Sequence, residues 1–184
     1  VDRVVRGHVT LVDTGVANGL PFINAAGTGF DAEVAVAARQ APPFLREKNA
    51  YLYGVFSRLA RMSAIPATVE VDGQVVHDGP SLLVSIQNGQ RAGGAFRLAP
   101  AAKPDDGLFD VVIAGRFSQL ATIGILSRVM AGPHVGHPRV TILRGRSIRF
   151  LWEKARPAHL EGELLAPTRE YAMELRPQSL RVLL

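Results

Sequence analysis

Cysteine is absent from this 184-residue chain, so disulfides, thiolate metal sites and a cysteine nucleophile are all excluded. That absence suits a reducing compartment. Lysine is nearly absent too: only 3 of the 21 basic residues are Lys, and the formal net charge is +5. No run of like charges reaches five residues, so there is no polybasic tail, and no nucleic-acid partner is expected. A mildly basic surface instead favours small anionic groups such as phosphates and phospholipid headgroups. Long apolar runs are also missing. The longest charge-free stretch, Thr14 to Phe30, is interrupted by Gly15, Asn18, Gly19, Pro21, Asn24, Gly27 and Gly29, and a bilayer span needs roughly 20 apolar residues. The opening residues carry no apolar signal-peptide region. The chain starts at Val1 rather than Met and stops on the apolar Val182-Leu183-Leu184, so we expect a piece of a longer protein.

What is present is the composition of one globular domain spanning 1–184, 47% apolar and 20% charged. With 18 Gly and 12 Pro, turns and short strands are favoured over a helical bundle. Helices are predicted over Asp31–Gln40, with Asp31 as its cap, over Glu47–Met62, and over Ser118–Met130, with Ser118 as cap and Gly132-Pro133 as stop. The strongest hairpin signal is Asp72-Gly73 between Thr68–Val71 and Val75-Val76. Further strands are read at Val9–Asp13, Pro21–Ala25, Leu82–Ile86, Leu108–Ile113, Val140–Leu143, Ile148–Trp152, Tyr171–Leu175 and Leu180–Leu184. About ten short strands and three grouped helices, without a βαβ rhythm, predict an α+β, mainly β domain built on an antiparallel sandwich.

Four segments could carry chemistry. Asn24-Ala25-Ala26-Gly27-Thr28-Gly29-Phe30-Asp31 leads from strand to helix, where glycines let backbone N–H groups approach an anion, or simply make a turn. In Gln87–Phe96, Asn88 and Arg91 are candidates for polar substrate groups beside Gly93-Gly94, and a plain turn reads equally well. Asp105-Asp106-Gly107-Leu108 offers oxygen ligands for a hard cation but is shorter than an EF-hand loop. Glu161-Gly162-Glu163 is either a solvated hairpin tip or the seat of a general base. The histidines show no i, i+4 pairing on a helix, and His134 and His137 are read as structural or surface residues. Neither a Gly-x-Ser-x-Gly elbow nor a Walker loop occurs.

In this order and spacing, with Pro100-Ala101, Phe109-Asp110-Val111 and His134-x-x-His137-Pro138 falling between the second segment and the last, the segments resemble the C-terminal domain of the bacterial diacylglycerol kinase family, which includes sphingosine- and ceramide-kinase-like enzymes. The resemblance covers nearly the whole chain and implies the β-sandwich of the NAD kinase/diacylglycerol kinase-like superfamily. It implies half of a two-domain, ATP-dependent lipid kinase, inactive alone. The N-terminal domain that grips ATP through a Gly-Gly-Asp-Gly-Thr loop is absent, since no such loop occurs here. By the same resemblance Glu163 is the general base for the lipid hydroxyl, and Glu161, where the family usually has Asp, touches substrate. Gly27 and Gly29, as cofactor-binding positions, would shape the wall of the interdomain cleft. Lys103 and Leu108, through their carbonyls, and Asp106, through its side chain, would hold Mg2+. Phe30, Tyr51, Phe56 and Phe96 are candidates for an acyl groove or for core. The implied partners are a lipid substrate and the missing domain, with peripheral contact at the inner face of the membrane from the cytoplasm and a homodimer left open. Two other readings stand: a non-catalytic lipid-binding module on this fold, and a kinase of a soluble substrate, as NAD kinases are.

Overall fold

The computed structural model describes residues 7, 9–45, 48–92, 96–131 and 134–183. Gly93-Gly94, Gly132-Pro133 and Glu47, named above, lie outside them. Among these residues, ten strands and three helices follow one another as β1 (Val9–Ala17), β2 (Leu20–Phe22), β3 (Ala25–Gly29), α1 (Phe30–Arg39), α2 (Lys48–Leu59), β4 (Ile65–Val71), β5 (Gln74–Ser81), β6 (Leu83–Gln87), β7 (Phe109–Ala114), α3 (Gln119–Ala131), β8 (Val140–Gly145), β9 (Ser147–Leu160) and β10 (Glu163–Leu183). All strand pairs are antiparallel, in the order β2-β1-β10-β9-β3-β6-β7-β8, with β4 joining β9 and β5 joining β4.

The sheet folds over itself along β9. Residues Ile148–Trp152 of that strand pair with β4, whereas Ala158–Leu160 pair with β3. Alternation decides which face turns inward: Ile148, Phe150 and Trp152 of β9 meet Tyr171, Met173 and Leu175 of β10 and Ala67, Val69 and Val71 of β4 in one buried cluster. The facing half of the sandwich supplies Ala26, Val84, Ile86, Phe109, Val111 and Ile113 to the same cluster. β7 is buried on both faces, because its other side, with Val112 and Ala114, lies beneath the helices. The result is a helix layer on a two-layer sandwich.

Three local expectations are corrected. The glycine-rich segment at 24–31 is not a loop, since Ala25–Gly29 form the fully buried strand β3. Asp31 does not cap α1: Gly29 occupies that position without a side-chain cap bond, and the Asp31 carboxylate turns towards β9. The strands read separately at Tyr171–Leu175 and near the end belong to a single strand, β10. The α3 cap is found as read, with the Ser118 hydroxyl accepting the Ala121 N–H at 3.3 Å.

Candidate functional site

A groove of about 200 Å³ opens between the three helices and the outer face of the sheet. Its walls are apolar, with Phe30 from α1, Tyr51 and Val55 from α2, Ile125 and Val129 from α3, and Phe96. Of the four aromatic residues nominated from the sequence, Phe56 stays out, exposed on α2. The groove lining becomes polar where α1 begins and the β9–β10 hairpin turns, at Asn24, Asp31, His159, Glu161 and Gly162.

That end is tightly wired. His159 Nε2 lies 2.9 Å from Asp31 Oδ2, and Tyr51 donates its hydroxyl to Asp31 Oδ1 at 3.1 Å. Gly162 donates its N–H to His159 Nδ1 at 3.3 Å. Burial pushes the Asp31 carboxyl up, but the His159 hydrogen bond and charge outweigh it and hold the group below the usual range. For His159 burial favours the neutral ring, yet Asp31, with Glu161 behind it, raises the imidazole above its ordinary value. Tyr51, desolvated and beside Asp31, is pushed well above the usual phenol range. Gly27 leaves the room for this pair: a Cβ there would stand 2.6 Å from His159 Nε2 and 2.7 Å from Asp31 Oδ2.

Glu161 and Gly162 form the two-residue turn of the hairpin, with φ of 55° and 86°. The Glu161 carboxylate, at the polar end of the groove, is held by the backbone. Its Oε1 accepts the N–H groups of Ile23, Asn24 and Ala25, so the longer arm at this position anchors the link from β2 to β3. Glu163 opens β10 at the rim, one residue beyond the groove lining, with its side chain 83% exposed and 3.0 Å from Arg39 Nη2. The same Arg39 nitrogen donates to the Gly162 carbonyl at 3.2 Å.

The remaining nominated residues lie elsewhere. Asn88 is 1% exposed, and its amide donates to the carbonyls of Asp13 and Ile23, both at 2.8 Å, bracing β1 against the β2–β3 link. The Arg91 side chain is exposed, and its carbonyl accepts from Asn24 Nδ2. Gly27 and Gly29 are buried within β3, beneath the groove. The Asp31–His159 pair was not anticipated. The one sequence signal for it is Gly27, since a glycine inside a strand marks close approach by another group.

A family model described as the YegS C-terminal NAD kinase beta sandwich-like domain matches residues 24–184. The chain belongs to that family. It is 30% identical over 164 residues to a diacylglycerol kinase of Staphylococcus carnosus, covering 89% of this chain and 53% of that protein. A Staphylococcus aureus diacylglycerol kinase is 32% identical over 151 residues, covering 82% of this chain and 47% of the relative. The chain thus spans about half the length of the curated relatives it matches. Among solved structures, a diacylglycerol kinase from Bacillus anthracis superposes with a TM-score of 0.68 at 20% identity over 98% of this chain and 56% of that one. An NAD kinase from Archaeoglobus fulgidus in complex with ATP superposes at 0.52 and 12% identity, over 99% and 57%. These likenesses carry the fold, and with it the expected α+β sandwich with three helices.

Within this family domain, the loop nominated for magnesium is held by cations of the chain itself. Arg144 of β8 pairs with Asp106 Oδ2, and its Nε lies 3.6 Å from Asp110, whose carboxyl burial pushes above the ordinary value against the pull of Arg144. Asp106 Oδ1 accepts the Leu108 N–H at 3.2 Å, and Arg146 Nε donates to the Gly107 carbonyl at 3.1 Å. Asp13 is engaged as well, accepting the N–H groups of Gly107 and Gln178. No group of three or more His, Asp or Glu suited to a metal occurs among the described residues. With both Asp106 oxygens engaged and two guanidiniums at its border, a divalent cation held by Asp106 and the Lys103 and Leu108 carbonyls would have to displace Arg144. Chelation with EDTA is accordingly expected to move the melting temperature by less than about 2 °C, while Arg144→Gln, removing a partly exposed pair worth about 1 kcal/mol, lowers it by about 2–4 °C. A gain of about 5 °C or more on adding magnesium to the chelated protein would restore the metal assignment.

Proposed function

We propose that this domain is the substrate half of an ATP-dependent lipid kinase, and that Glu163 takes the proton from the lipid hydroxyl as the γ-phosphoryl group arrives. The carrying observation is the apolar groove, which ends in polar groups at the turn bearing Glu163. An acyl chain suits such walls, and its hydroxyl end would then stand at the turn. ATP and its Mg2+ belong in this reading to the other half of a protein the size of the curated relatives, because phosphoryl transfer needs a metal-bound nucleotide in line with the acceptor. When bound, that ion would neutralise the transferring phosphates. This chain's own contribution is to hold the lipid, exclude water with apolar walls and present a carboxylate. The domain alone is therefore expected to bind lipid without turnover.

No helix among the described residues is long and apolar enough to cross a membrane. The exposed Leu52 and Phe56 of α2 and Leu120 of α3, on two of the helices that wall the groove, suit peripheral contact through which a lipid leaves a bilayer. The groove's apolar lining disfavours a dinucleotide, which would leave its phosphates and hydroxyls unpaired.

The test is Glu163→Gln in the full-length protein, assayed on mixed vesicles containing dioleoylglycerol. Loss of a positioned base predicts a fall in kcat of about 10²-fold or more, with lipid and ATP binding unchanged. An unaltered rate rejects the assignment of the base. Lipid binding by a wild-type full-length protein that turns over neither dioleoylglycerol nor NAD would favour the non-catalytic module.

A further inference from the structure

Resting on that reading of Glu163, we infer that His159, oriented by Asp31, is a positioning residue: it accepts the Gly162 N–H and thereby fixes the turn that aims Glu163 at the substrate. The protons in the chain of bonds are assigned by the backbone. Gly162 N–H can only donate, so the His159 Nδ1 facing it at 3.3 Å carries the lone pair. Nε2 then carries the ring proton and donates it to Asp31 Oδ2 at 2.9 Å. Asp31 is itself pinned by the Tyr51 hydroxyl on its second oxygen. The imidazole, with 8% of its side chain exposed, has both nitrogens engaged by Asp31 and Gly162, so it acts through the turn.

The bond sits at the point of greatest leverage. The Gly162 N–H belongs to the peptide before that glycine and its carbonyl to the peptide after it. His159 holds the first and Arg39 the second. Together they fix both peptide planes leading into Glu163, at a glycine whose φ of 86° is otherwise free to drift. Glu161, tied to three N–H groups, fixes the other end of the turn. Neither Gly162 hydrogen bond lies deep in the core, so each contributes more to where Glu163 points than to whether the domain folds.

Protonation of the ring opposes this arrangement. An imidazolium carries hydrogen on both nitrogens, so Nδ1 can no longer accept from Gly162, while the ion pair with Asp31 persists. The charged or titratable groups around the ring and turn are Asp31 on α1, Tyr51 on α2, Glu161 and Glu163 on the hairpin, and Arg39 at the end of α1. Of these, Asp31 is the one that bonds the ring. Activity is therefore expected to fall on the acid side as the ring charges, and Asp31→Asn, which removes the carboxylate favouring the charged ring, moves that limb to lower pH.

Three substitutions of His159 in the full-length protein separate positioning from mere packing. Asn places an acceptor where Nδ1 stands and drops the bond to Asp31. Gln places a donor where Nε2 stands and drops the bond to Gly162. Leu drops both. With dioleoylglycerol in mixed vesicles, Gln and Leu are expected to lower kcat by about 10- to 100-fold with KM within about threefold, while Asn keeps kcat within about threefold. Wild-type kcat in His159→Gln, or losses in Asn and Gln that merely track their melting temperatures, would overturn the inference. Nitrogen NMR of the His159 ring in the same full-length protein near pH 8 reads the geometry without any assay: an unprotonated Nδ1 is expected, and a protonated one refutes the latch. If Glu163→Gln is active while Nδ1 is unprotonated, the base has failed and the latch stands. If Glu163→Gln is inactive and His159→Gln is not, the latch has failed and the base stands.

Discussion

Replacing Arg156 with Ala is expected to destabilise the domain by about 3–5 kcal/mol, a fall in melting temperature of about 10 °C. Arg156 sits in β9, only 3% of its side chain exposed. Its guanidinium pairs with Glu33 of α1, donates to the Ser63 carbonyl at 3.3 Å and lies 5.0 Å from the centre of the Trp152 ring. It therefore fastens three things at once: the first helix, the approach to β4, and the bend where β9 passes from one half of the sandwich to the other. Deleting it leaves the Glu33 carboxylate three-quarters buried without its cation, which is the costly way to break such a pair. A double replacement, Arg156→Met with Glu33→Met, removes both charges and keeps volume, so it should recover most of the loss. Thermal unfolding of the two variants checks this. A fall below about 2 °C in Arg156→Ala would mean that Glu33 finds water or another donor with little cost.

How far such features can be read in advance depends on the range of the interaction. The Asp72-Gly73 hairpin was legible because a two-residue turn writes its own chemistry, and the structure gives both residues positive φ, 50° and 81°. Helix α2 was legible from the three- and four-residue recurrence of Tyr51, Leu52, Val55, Phe56 and Leu59, α1 from its Ala, Val and Glu content, and α3 from Ser118 at its start. The continuity of β10 was hidden by its prolines. Pro167 and Pro177 lie within it, and the ladder shifts register beside each of them, between Leu165 and Thr168 and opposite Val12/Thr14, so bulges absorb them. The site divided in the same way. Its acidic turn and glycine strand are local patterns and could be nominated. Asp31 and His159, by contrast, stand 128 residues apart, and nothing in the neighbourhood of either announces the other. Asp31 therefore read as a helix cap, the commonest local use of Asp before an apolar run. The loop at Asp106 shows the same limit, since the arginine that engages it arrives from β8, 38 residues later.

Gly29→Ala is the second substitution expected to be severe, and it probes the joint between the sandwich and the helix that carries Asp31. Gly29 has φ 88° and ψ −138°, a region that side chains rarely adopt and that costs about 1–3 kcal/mol when they are forced into it. A Cβ there would also stand 2.5 Å from the Leu82 carbonyl oxygen, which is backbone and cannot swing aside. That same oxygen accepts the Phe30 N–H at 2.9 Å, the bond that launches α1 from the end of β3. Relieving the clash would stretch this bond and shift the first turn of α1, and with it Asp31 and Phe30 at the groove. The combined cost is about 3–5 kcal/mol, or about 10 °C in melting temperature. Gly73→Ala provides the control for torsion alone, since its φ is also positive, at 81°, but nothing lies within 4 Å of the added methyl; it should cost about 1 kcal/mol. The difference between the two variants isolates the steric part at the β3–α1 joint. Equal melting temperatures would show that the carbonyl of Leu82 yields freely, and that α1 is not held in place by this contact.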